Sequence, residues 1–549
     1  MNLSQQKRQR MLEFLSRIRE EHKDDDATLI ALNEIESELN SKKYGLVWEE
    51  HEEAVDVRMR THIPVFTEDT SMEIAALPDE DYNFLLEGDN LHSLYLLEKT
   101  HKGRIDVIYI DPPYNTGNKD FIYDDIFIDK NDAFVHSKWL SFMAERLRIA
   151  RTLLSNVGAI FISIDNNEVA ALKMLCDDIF GSSNFIDIIS WFKKASPSND
   201  AQFFSNDTEY ILVYAFDKSV WKPHRLPLSE KQMKYYQNPD NDPRGAWNSA
   251  TYTCNKSKAE RPNLFYAITN PFTGEQIFPK ESAVWKYSKE QTELLQADNR
   301  LFWGANGTAK YPRIKKYLFE HDGVVNRNMW HYDDVNHTQG ATAELKEFGI
   351  TGFSTPKPVR LIERILQIAS NKNSVVLDFF AGSGTTAQAV LELNKQDGGS
   401  RRFILCTNNE NNICEEVTYQ RIKTVITGKR KDGSVYSEGI PANLKYYRTD
   451  FVARDEEYLS EALLEHIAEM IQLENGVKID GSKYIMVLDE EEADELAKNW
   501  ASYPDVKAIY AANDILFTTE QAELFAGTEI NIIPDYYFEF ELREEGETW

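Results

Sequence analysis

Short, near-continuous apolar runs alternate along this chain with stretches of helical spacing, and this alternation limits the possible fold more than any other feature. NFLLEGD, from Asn83, and IDVIYIDPPY read as strands, AFVHSKWLSFMAERLRIARTLL as an amphipathic helix, GAIFISID as a strand and EVAALKMLCDDIF as a helix. Strands apolar at consecutive positions are buried on both faces, and the helices between them supply the crossovers of a parallel sheet. A mixed, mostly parallel α/β sheet with helices on both faces is the expectation. The pattern blurs between about Trp191 and Ile350, where Pro, Asn and aromatic residues are frequent, as in a loop-rich inserted domain. It resumes with the helix KPVRLIERILQIA, the strand SVVLDFF and the loop and helix AGSGTTAQAVLEL. Helical spacing of Met11, Phe14, Leu15 and Ile18, then of Leu29, Leu32, Ile35 and Leu39, predicts an N-terminal helical element. KYIMVLD, EEADELAKNW and VKAIYAA predict a separate C-terminal β-α-β unit. The expected divisions are 1–60 (helical), 61–190 (first part of the α/β domain), 191–350 (insertion), 351–440 (second part) and 441–549 (C-terminal α/β domain).

Two loops carry chemistry. Gly382 and Gly384 stand on the turn between a buried strand and a helix, where backbone N–H groups and a helix N-terminus can face a nucleotide-like cofactor. Gly382, Gly384 and Ala387 also satisfy the loose G-x-G-x-x-A fingerprint, so this loop alone fits a nicotinamide cofactor as well as S-adenosylmethionine. The next strand, RFILCTN, ends near Glu410, whose carboxylate can accept hydrogen bonds from ribose hydroxyls. In IDVIYIDPPYNTG a strand ends at Asp111, Pro112 and Pro113 stiffen the backbone, and Tyr114 stands at the tip. An exocyclic amine on a purine is a poor nucleophile because its lone pair is delocalised into the ring. The Asp111 carboxylate and the carbonyl of Pro112 or Pro113 would accept its hydrogens and localise that lone pair toward a methyl donor. Such catalysis works by positioning and electrostatics, without a covalent nucleophile. Tyr114 offers a stacking face for a base taken out of the duplex.

Together the two loops resemble the β-class N6-adenine DNA methyltransferases, specifically the modification subunits of type III restriction-modification systems. The order agrees: Asp111 precedes the irregular region and Gly382 follows it. The resemblance extends to KYGLVWEE (43–50), EGDNLHSL (87–94), SIDNNE (163–168), DTEYILVYA (207–215), STPKPVRLIERIL (354–366) and NLKYYRTDFV (443–452). It implies a Rossmann-like S-adenosylmethionine-dependent sheet interrupted by a target-recognition domain, with Asp111, Pro112, Pro113 and Tyr114 catalytic. It further implies that Asp89 bonds the cofactor's adenine amino group, with Asn90 and Leu91 alongside. Thr355, Lys357 and Pro358 would lie beside the methionine carboxylate. Asp378, Phe380, Ala381, Gly382, Ser383, Gly384 and Thr385 would wrap the methionine end, and Glu410 would take the ribose. Read without the family, Asp89 caps the next helix and Lys357 precedes a proline-initiated one. In the family pattern Asp at the first loop position goes with adenine N6 and Ser with cytosine N4, whereas protein-amine enzymes resemble Asn-Pro-Pro-Tyr. An N4-cytosine or RNA amino-methyltransferase, and a DNA-recognition subunit with dispensable methyl transfer, are the alternatives.

A net charge of −29 disfavours phosphate binding, but its distribution matters more than its sum. Residues 451–549 hold 25 acidic and 6 basic side chains, whereas 191–350 hold 19 acidic and 21 basic ones. The insertion is therefore the expected face for double-stranded DNA. Lys193, Lys194, Lys256, Lys258, Arg313, Lys315 and Lys316 would meet phosphates, among Trp191, Trp247, Tyr252, Trp303 and Tyr311 for stacking or wedging. By resemblance the acidic end would serve self-association, as a homodimer, and docking of a restriction helicase-nuclease subunit. Four cysteines without a C-x-x-C pair and 11 histidines without ligand spacing imply no metal. With no apolar run of membrane-spanning length and no signal peptide, a cytoplasmic protein is expected.

Overall fold

The computed structural model describes residues 3–544 apart from 24, 41–47, 49–50, 52, 79, 117–121, 124–125, 128–134 and 200. The chain forms two compact units, Met1–Lys222 with Arg327–Trp549, and Pro223–Asn326.

In the first unit the strands of the main sheet are β1 (His62–Glu68), β2 (Tyr82–Glu87), β3 (Ile105–Ile110), β4 (Leu154–Ile164), β5 (Phe185–Phe192), β6 (Thr208–Ala215), β7 (Met329–Trp330), β8 (Val375–Asp378), β9 (Arg402–Thr407) and β10 (Asn443–Ala453). Among the described residues they pair in the order β1-β10-β2-β9-β8-β3-β4-β6-β5-β7, with Ile74–Ala75 added beside β10. Every pair from β10 to β4 is parallel. The antiparallel pairs lie toward the ends: β1 with β10, and β6 with both β4 and β5. Burial at successive positions, as in Phe84-Leu85-Leu86 and Val107-Ile108-Tyr109-Ile110, shows that both faces are covered and explains the unbroken apolar runs.

The chain crosses from β3 to β4 on one side and from β8 to β9 on the other. Since β3 and β8 are hydrogen-bonded neighbours, with Val107 opposite Val376 and Ile108 opposite Leu377, the winding reverses between them. The crevice outside the carboxyl ends of two such strands is where open α/β sheets hold ligands. The helices that matter here are α1 (Leu3–Glu21), α2 (Asp26–Asn40), α3 (Asn90–His101), α4 (Val135–Leu153), α5 (Val359–Ala369) and α6 (Thr385–Asp397). Helix α5 buries Val359, Ile362, Ile365 and Leu366, the apolar stripe of a surface helix, and leaves Arg360 exposed. Arg19 of α1 bonds Asn33 and Glu36 of α2. Of KYGLVWEE only Trp48 lies among the described residues, and its indole donates to Ser141 Oγ of α4 at 3.2 Å.

Strands β5, β6 and β7 belong to the main sheet, so the second unit, Pro223–Asn326, is narrower than the 191–350 stretch read as an insertion. It contains an antiparallel sheet of Trp247–Thr251, Arg313–Tyr317 and Leu301–Phe302 over a core that includes Tyr252, Trp285, Trp303 and Ile314. Near the C-terminus, Tyr484–Val487, Ala508–Ala511 and Glu529–Ile532 form a parallel sheet. The third of these strands, a short edge whose Ile530 and Ile532 are exposed, was not among the expected ones. In the last helix, Glu539–Glu544, the fully buried Glu541 accepts from Lys99 Nζ at 2.6 Å and from the Tyr95 hydroxyl, both on α3. Among the described residues no helix is long and apolar enough to cross a membrane.

Candidate active site

Asp111 follows β3 directly, at the carboxyl edge of the sheet. Lys357 Nζ donates to both of its carboxylate oxygens at 2.7 Å, and Tyr114 Oη donates to Oδ1 at 2.8 Å. Tyr114 also reaches Glu209 Oε2 of β6 at 3.1 Å, and Lys357 stands 3.5 Å from that oxygen. Lys193 holds the other oxygen of Glu209 at 3.2 Å. Two carboxylates and two ammonium groups are thus paired where Lys357 and Glu209 are each only 8% exposed. Burial opposes the charge on Lys357, but Asp111 and then Glu209 outweigh it and raise its pKa. Burial also opposes ionised Glu209, and Lys357 and Lys193 outweigh it, holding that carboxyl below its ordinary value. Burial, then Asp111 and Glu209, push the Tyr114 phenol far up, so it serves as a neutral donor.

The prolines divide the work of their carbonyls. Pro113 accepts from the indole of buried Trp139 at 2.8 Å, whereas no described residue donates to the Pro112 carbonyl. Pro112 is buried, and its carbonyl is the one beside Asp111 left without a donor among the described residues. Asn115, in the left-handed region at φ 58°, donates to Glu168 Oε1 at 2.6 Å, and the same fully buried carboxylate takes His136 at 2.5 Å. Asn is one of the few residue types that enter this region readily, so the turn after Tyr114 is fixed by local chemistry.

Across the crevice, β8 ends at Asp378. Its carboxylate turns inward, accepting from Phe380 N at 3.0 Å and Thr386 Oγ1 at 2.5 Å. Burial raises its pKa to about 7 against the pull of those two bonds. Gly382 and Gly384 have φ of 49° and 72°. A Cβ on Gly382 would come within 3.1 Å of Phe353, and one on Gly384 within 3.3 Å of Thr418, so both positions favour glycine on conformation and space. Ser383 and Thr385 are taken by the buried guanidinium of Arg421, and Thr385 also donates to the Lys357 carbonyl at 3.1 Å. Their side chains brace the loop; the N–H groups of Phe380, Ala381 and Gly384 are taken by Asp378, the Cys406 carbonyl and the Ala381 carbonyl, which leaves those of Gly382 and Ser383 to meet a ligand. Ala381 is buried and Phe380 half-buried. Thr355 is exposed at φ 53°, a strained setting for a β-branched residue, just ahead of Lys357 and Pro358. A cavity of 530 Å³ lined by Ile350, Phe353, Ser354, Asn411, Ile413 and Val417 adjoins this loop, within the size range of ligand pockets. Glu410 is exposed after β9, where Asn411 and Asn412 both have positive φ.

Asp89 caps α3 by accepting from Leu91 N at 2.8 Å, yet its side chain stays 37% exposed. Asn90 and buried Leu91 serve the frame instead: Asn90 donates to the Phe379 carbonyl at 2.8 Å. Behind them lies Arg146 of α4, which sequence reasoning passed over as an ordinary charge on an amphipathic helix. It is fully buried, with bonds to Glu53 Oε1 at 2.6 Å, Asn90 Oδ1 at 2.6 Å and Asp89 Oδ1 at 3.3 Å. Glu209 was missed as an individual residue too, although the polar start of DTEYILVYA, set directly before an apolar strand, was its available signal.

For nucleic acid, the structure corrects part of the expected set. Lys315 is 1% exposed, with Nζ 2.9 Å from Asp242 and 2.5 Å from Asp240, so it is an internal counter-ion that no phosphate reaches. Trp191, Trp247, Tyr252 and Trp303 are core residues, 0–3% exposed, and cannot stack on bases. Lys193 is held by Glu209 and Lys194 by Ser198 at 2.7 Å. Lys256, Lys258, Arg313 and Lys316 are exposed, although Lys256 pairs with Glu260 and Arg313 with Ser249. The exposed aromatic pair is Phe203 and Phe204, 85% and 94% exposed between β5 and β6.

A glycine loop and a proline-braced acidic loop that share the switch point of a mostly parallel sheet define an α/β domain of the kind that holds nucleotide-like cofactors. The family model described as DNA methylase, for N6 and N4 enzymes, matches residues 105–419, and the chain belongs to that family. It is 37% identical to the Mod subunit of the type III restriction-modification enzyme StyLTI of Salmonella typhimurium, over 66% of this chain and 58% of that protein. It is 31% identical to the EcoPI Mod subunit of Escherichia phage P1, over 68% and 65%. With the type II methyltransferase M.KpnI of Klebsiella pneumoniae the identity is 36%, over 59% of this chain and 79% of that one. The chain thus spans less than two thirds of the length of the two type III subunits.

Proposed function

We propose that this chain transfers a methyl group from S-adenosylmethionine to N6 of adenine in double-stranded DNA, as the modification and recognition subunit of a type III restriction-modification system. The observation that carries this reading is the placement of Asp111, with the Pro112 carbonyl that no described residue engages, and of the glycine loop after neighbouring strands at one switch point. Two of the relatives named above are type III Mod subunits, which supports the assignment of system. When bound, S-adenosylmethionine supplies a methyl group on a positively charged sulfur. The loop from Phe380 to Thr385, through the N–H groups of Gly382 and Ser383, the exposed edge of Asp89, and Glu410 would hold it, in keeping with the two positive-φ glycines and the adjoining cavity. Asp111 and Pro112 accept the two amino hydrogens of the flipped base and direct its lone pair. As the amine gains the methyl group it gives up one proton, and Asp111, already its acceptor, is placed to take it. Lys256, Lys258, Arg313 and Lys316 meet phosphates, and Phe203 and Phe204 take the stacking role first assigned to residues that lie in the core. Self-association as a homodimer and docking of a restriction helicase-nuclease subunit belong to the same reading.

Nucleoside mass spectrometry of unmethylated genomic DNA treated with the purified chain and cofactor tests it. N6-methyladenine is the expected product. N4-methylcytosine would overturn the choice of base. Cofactor and DNA binding without any transfer would leave a recognition subunit in its place.

A further inference from the structure

Asp111 is the acceptor the amine needs, and it is already engaged. A carboxylate offers about four lone-pair sites. Three are used here, two by Lys357 at 2.7 Å and one by Tyr114 at 2.8 Å. Charge-assisted hydrogen bonds are roughly twice as strong as neutral ones. An Asp111 neutralised by an ammonium group in contact is therefore a weakened acceptor for an amino hydrogen. Something must take Lys357 and Tyr114 away as the base enters.

Among the described residues Glu209 is the other carboxylate within reach of both. Its Oε2 lies 3.1 Å from Tyr114 Oη and 3.5 Å from Lys357 Nζ. To make with Glu209 the 2.7 Å contact it now makes with Asp111, Lys357 must close about 0.8 Å, the difference between 3.5 and 2.7 Å, a movement within side-chain torsional freedom. We infer that Glu209 is a positioning residue that draws the Lys357 ammonium and the Tyr114 hydroxyl off Asp111 when the target amine arrives, so that Asp111 meets the amine with its charge restored. Lys193 anchors the far oxygen of Glu209 and keeps Oε2 turned toward the site. The groups facing Glu209 are Tyr109 of β3, Asp111 and Tyr114 after it, Lys193 after β5, Lys357 before α5, and Asp165 after β4. Exchange of Lys357 between two carboxylates leaves the net charge of the cluster unchanged, and the amino hydrogens of the entering base take the ammonium's place at Asp111.

This inference rests on the proposed amine-accepting role of Asp111, and the test separates the two. Single-turnover transfer to unmethylated genomic DNA at saturating cofactor is compared for the full-length wild type, Asp111→Ala, Glu209→Gln, Glu209→Asp and Lys193→Met, alongside cofactor affinity and melting curves. Glu209→Gln is expected to lower the rate at least tenfold with cofactor affinity unchanged within twofold, and Glu209→Asp, which keeps the charge, to lie between it and the wild type. In Lys193→Met the acid limb of the pH–rate profile moves to higher pH, because one of the cations keeping Glu209 ionised is gone. A wild-type rate in Glu209→Gln, a poorer rate in Glu209→Asp than in Glu209→Gln, or an unmoved acid limb would overturn the inference. Should Glu209→Gln melt early, the Lys193→Met profile decides. Full transfer by Asp111→Ala would overturn the underlying reading, and this inference with it.

Discussion

The buried Asp378 imposes a pH dependence on the stability of the first unit. Its carboxyl is raised in the folded chain from 3.8 to about 7 by burial. The native state therefore keeps a proton that the unfolded chain gives up near pH 4. The favourable contribution is fully present below about pH 4 and is lost as pH rises through about 7. At about 1.4 kcal/mol per pH unit the whole loss is about 4 kcal/mol, of which about 2.5 kcal/mol falls between about pH 5 and about pH 8. Asp378→Asn removes the titration. The amide oxygen still accepts from Phe380 N, and the Thr386 hydroxyl can rotate to accept from the new NH₂, so the substitution costs no more than about 1 kcal/mol in hydrogen bonding. Urea unfolding of both proteins, followed by circular dichroism in half-unit steps over that range, isolates the effect, because every other group titrates in both. The variant should gain on the wild type steadily as pH rises, by about 2.5 kcal/mol across the range. A difference flat to within about 0.5 kcal/mol would show that Asp378 does not hold a proton in the native state, and the reasoning would fail.

Arg146→Met strands buried Glu53 and frees Asp89 and Asn90; a loss of about 3–5 kcal/mol is expected together with weaker cofactor binding, read by melting and calorimetry, and unchanged values in both would show the guanidinium idle. Glu541→Ala leaves Lys99, only 11% exposed, without its carboxylate, so limited proteolysis should release the C-terminal segment sooner than in the wild type. In the second unit, Lys316→Ala should reduce the salt dependence of DNA affinity by about one phosphate contact, whereas Lys315→Ala should destabilise the unit by breaking its pairs with Asp240 and Asp242. Equal salt slopes in the two variants would contradict this division. Replacing Phe203 and Phe204 by Ala should weaken DNA binding by about 1–3 kcal/mol per stacked base without altering the melting curve, and an unchanged affinity would remove them from the interface.

How much of this was legible depended on how local the signal was. Strands β2, β3, β4 and β8 announced themselves because burial on both faces forces consecutive apolar residues. The Asp111 and Gly382 loops could be read because each needs special backbone at contiguous positions. Arg146 and Glu209 could not be assigned in the same way, since their roles come from partners far away in sequence: Glu53 lies 93 residues from Arg146, and Tyr114 lies 95 from Glu209. The pair Lys315 and Lys316 carried an unused signal. Adjacent residues on a strand point to opposite faces, so where one face packs inward one of two neighbouring lysines is turned away from solvent. The core tryptophans misled because aromatic residues among lysines fit a binding surface and a small domain's core equally well, and composition cannot separate the two.

The topology also explains how two loops more than 260 residues apart come to share one site. Asp111 follows β3 and Asp378 ends β8, and the register of Val107 on Val376 and Ile108 on Leu377 brings both strand ends to the same edge of the sheet. Between them the chain leaves the first unit after Lys222 and returns at Arg327, beyond β6 and before β7. Neither strand flanking that departure touches β3 or β8: the intervening partner is β4. The length and sequence of Pro223–Asn326 can therefore change without altering the register that aligns Asp111 with the glycine loop. Residues 208–215 are the exception, for β6 carries Glu209, its second residue, into the site beside Tyr114. Changes that shift β6 along β4 would move Glu209 away from Lys357, and catalysis would fail before cofactor binding does.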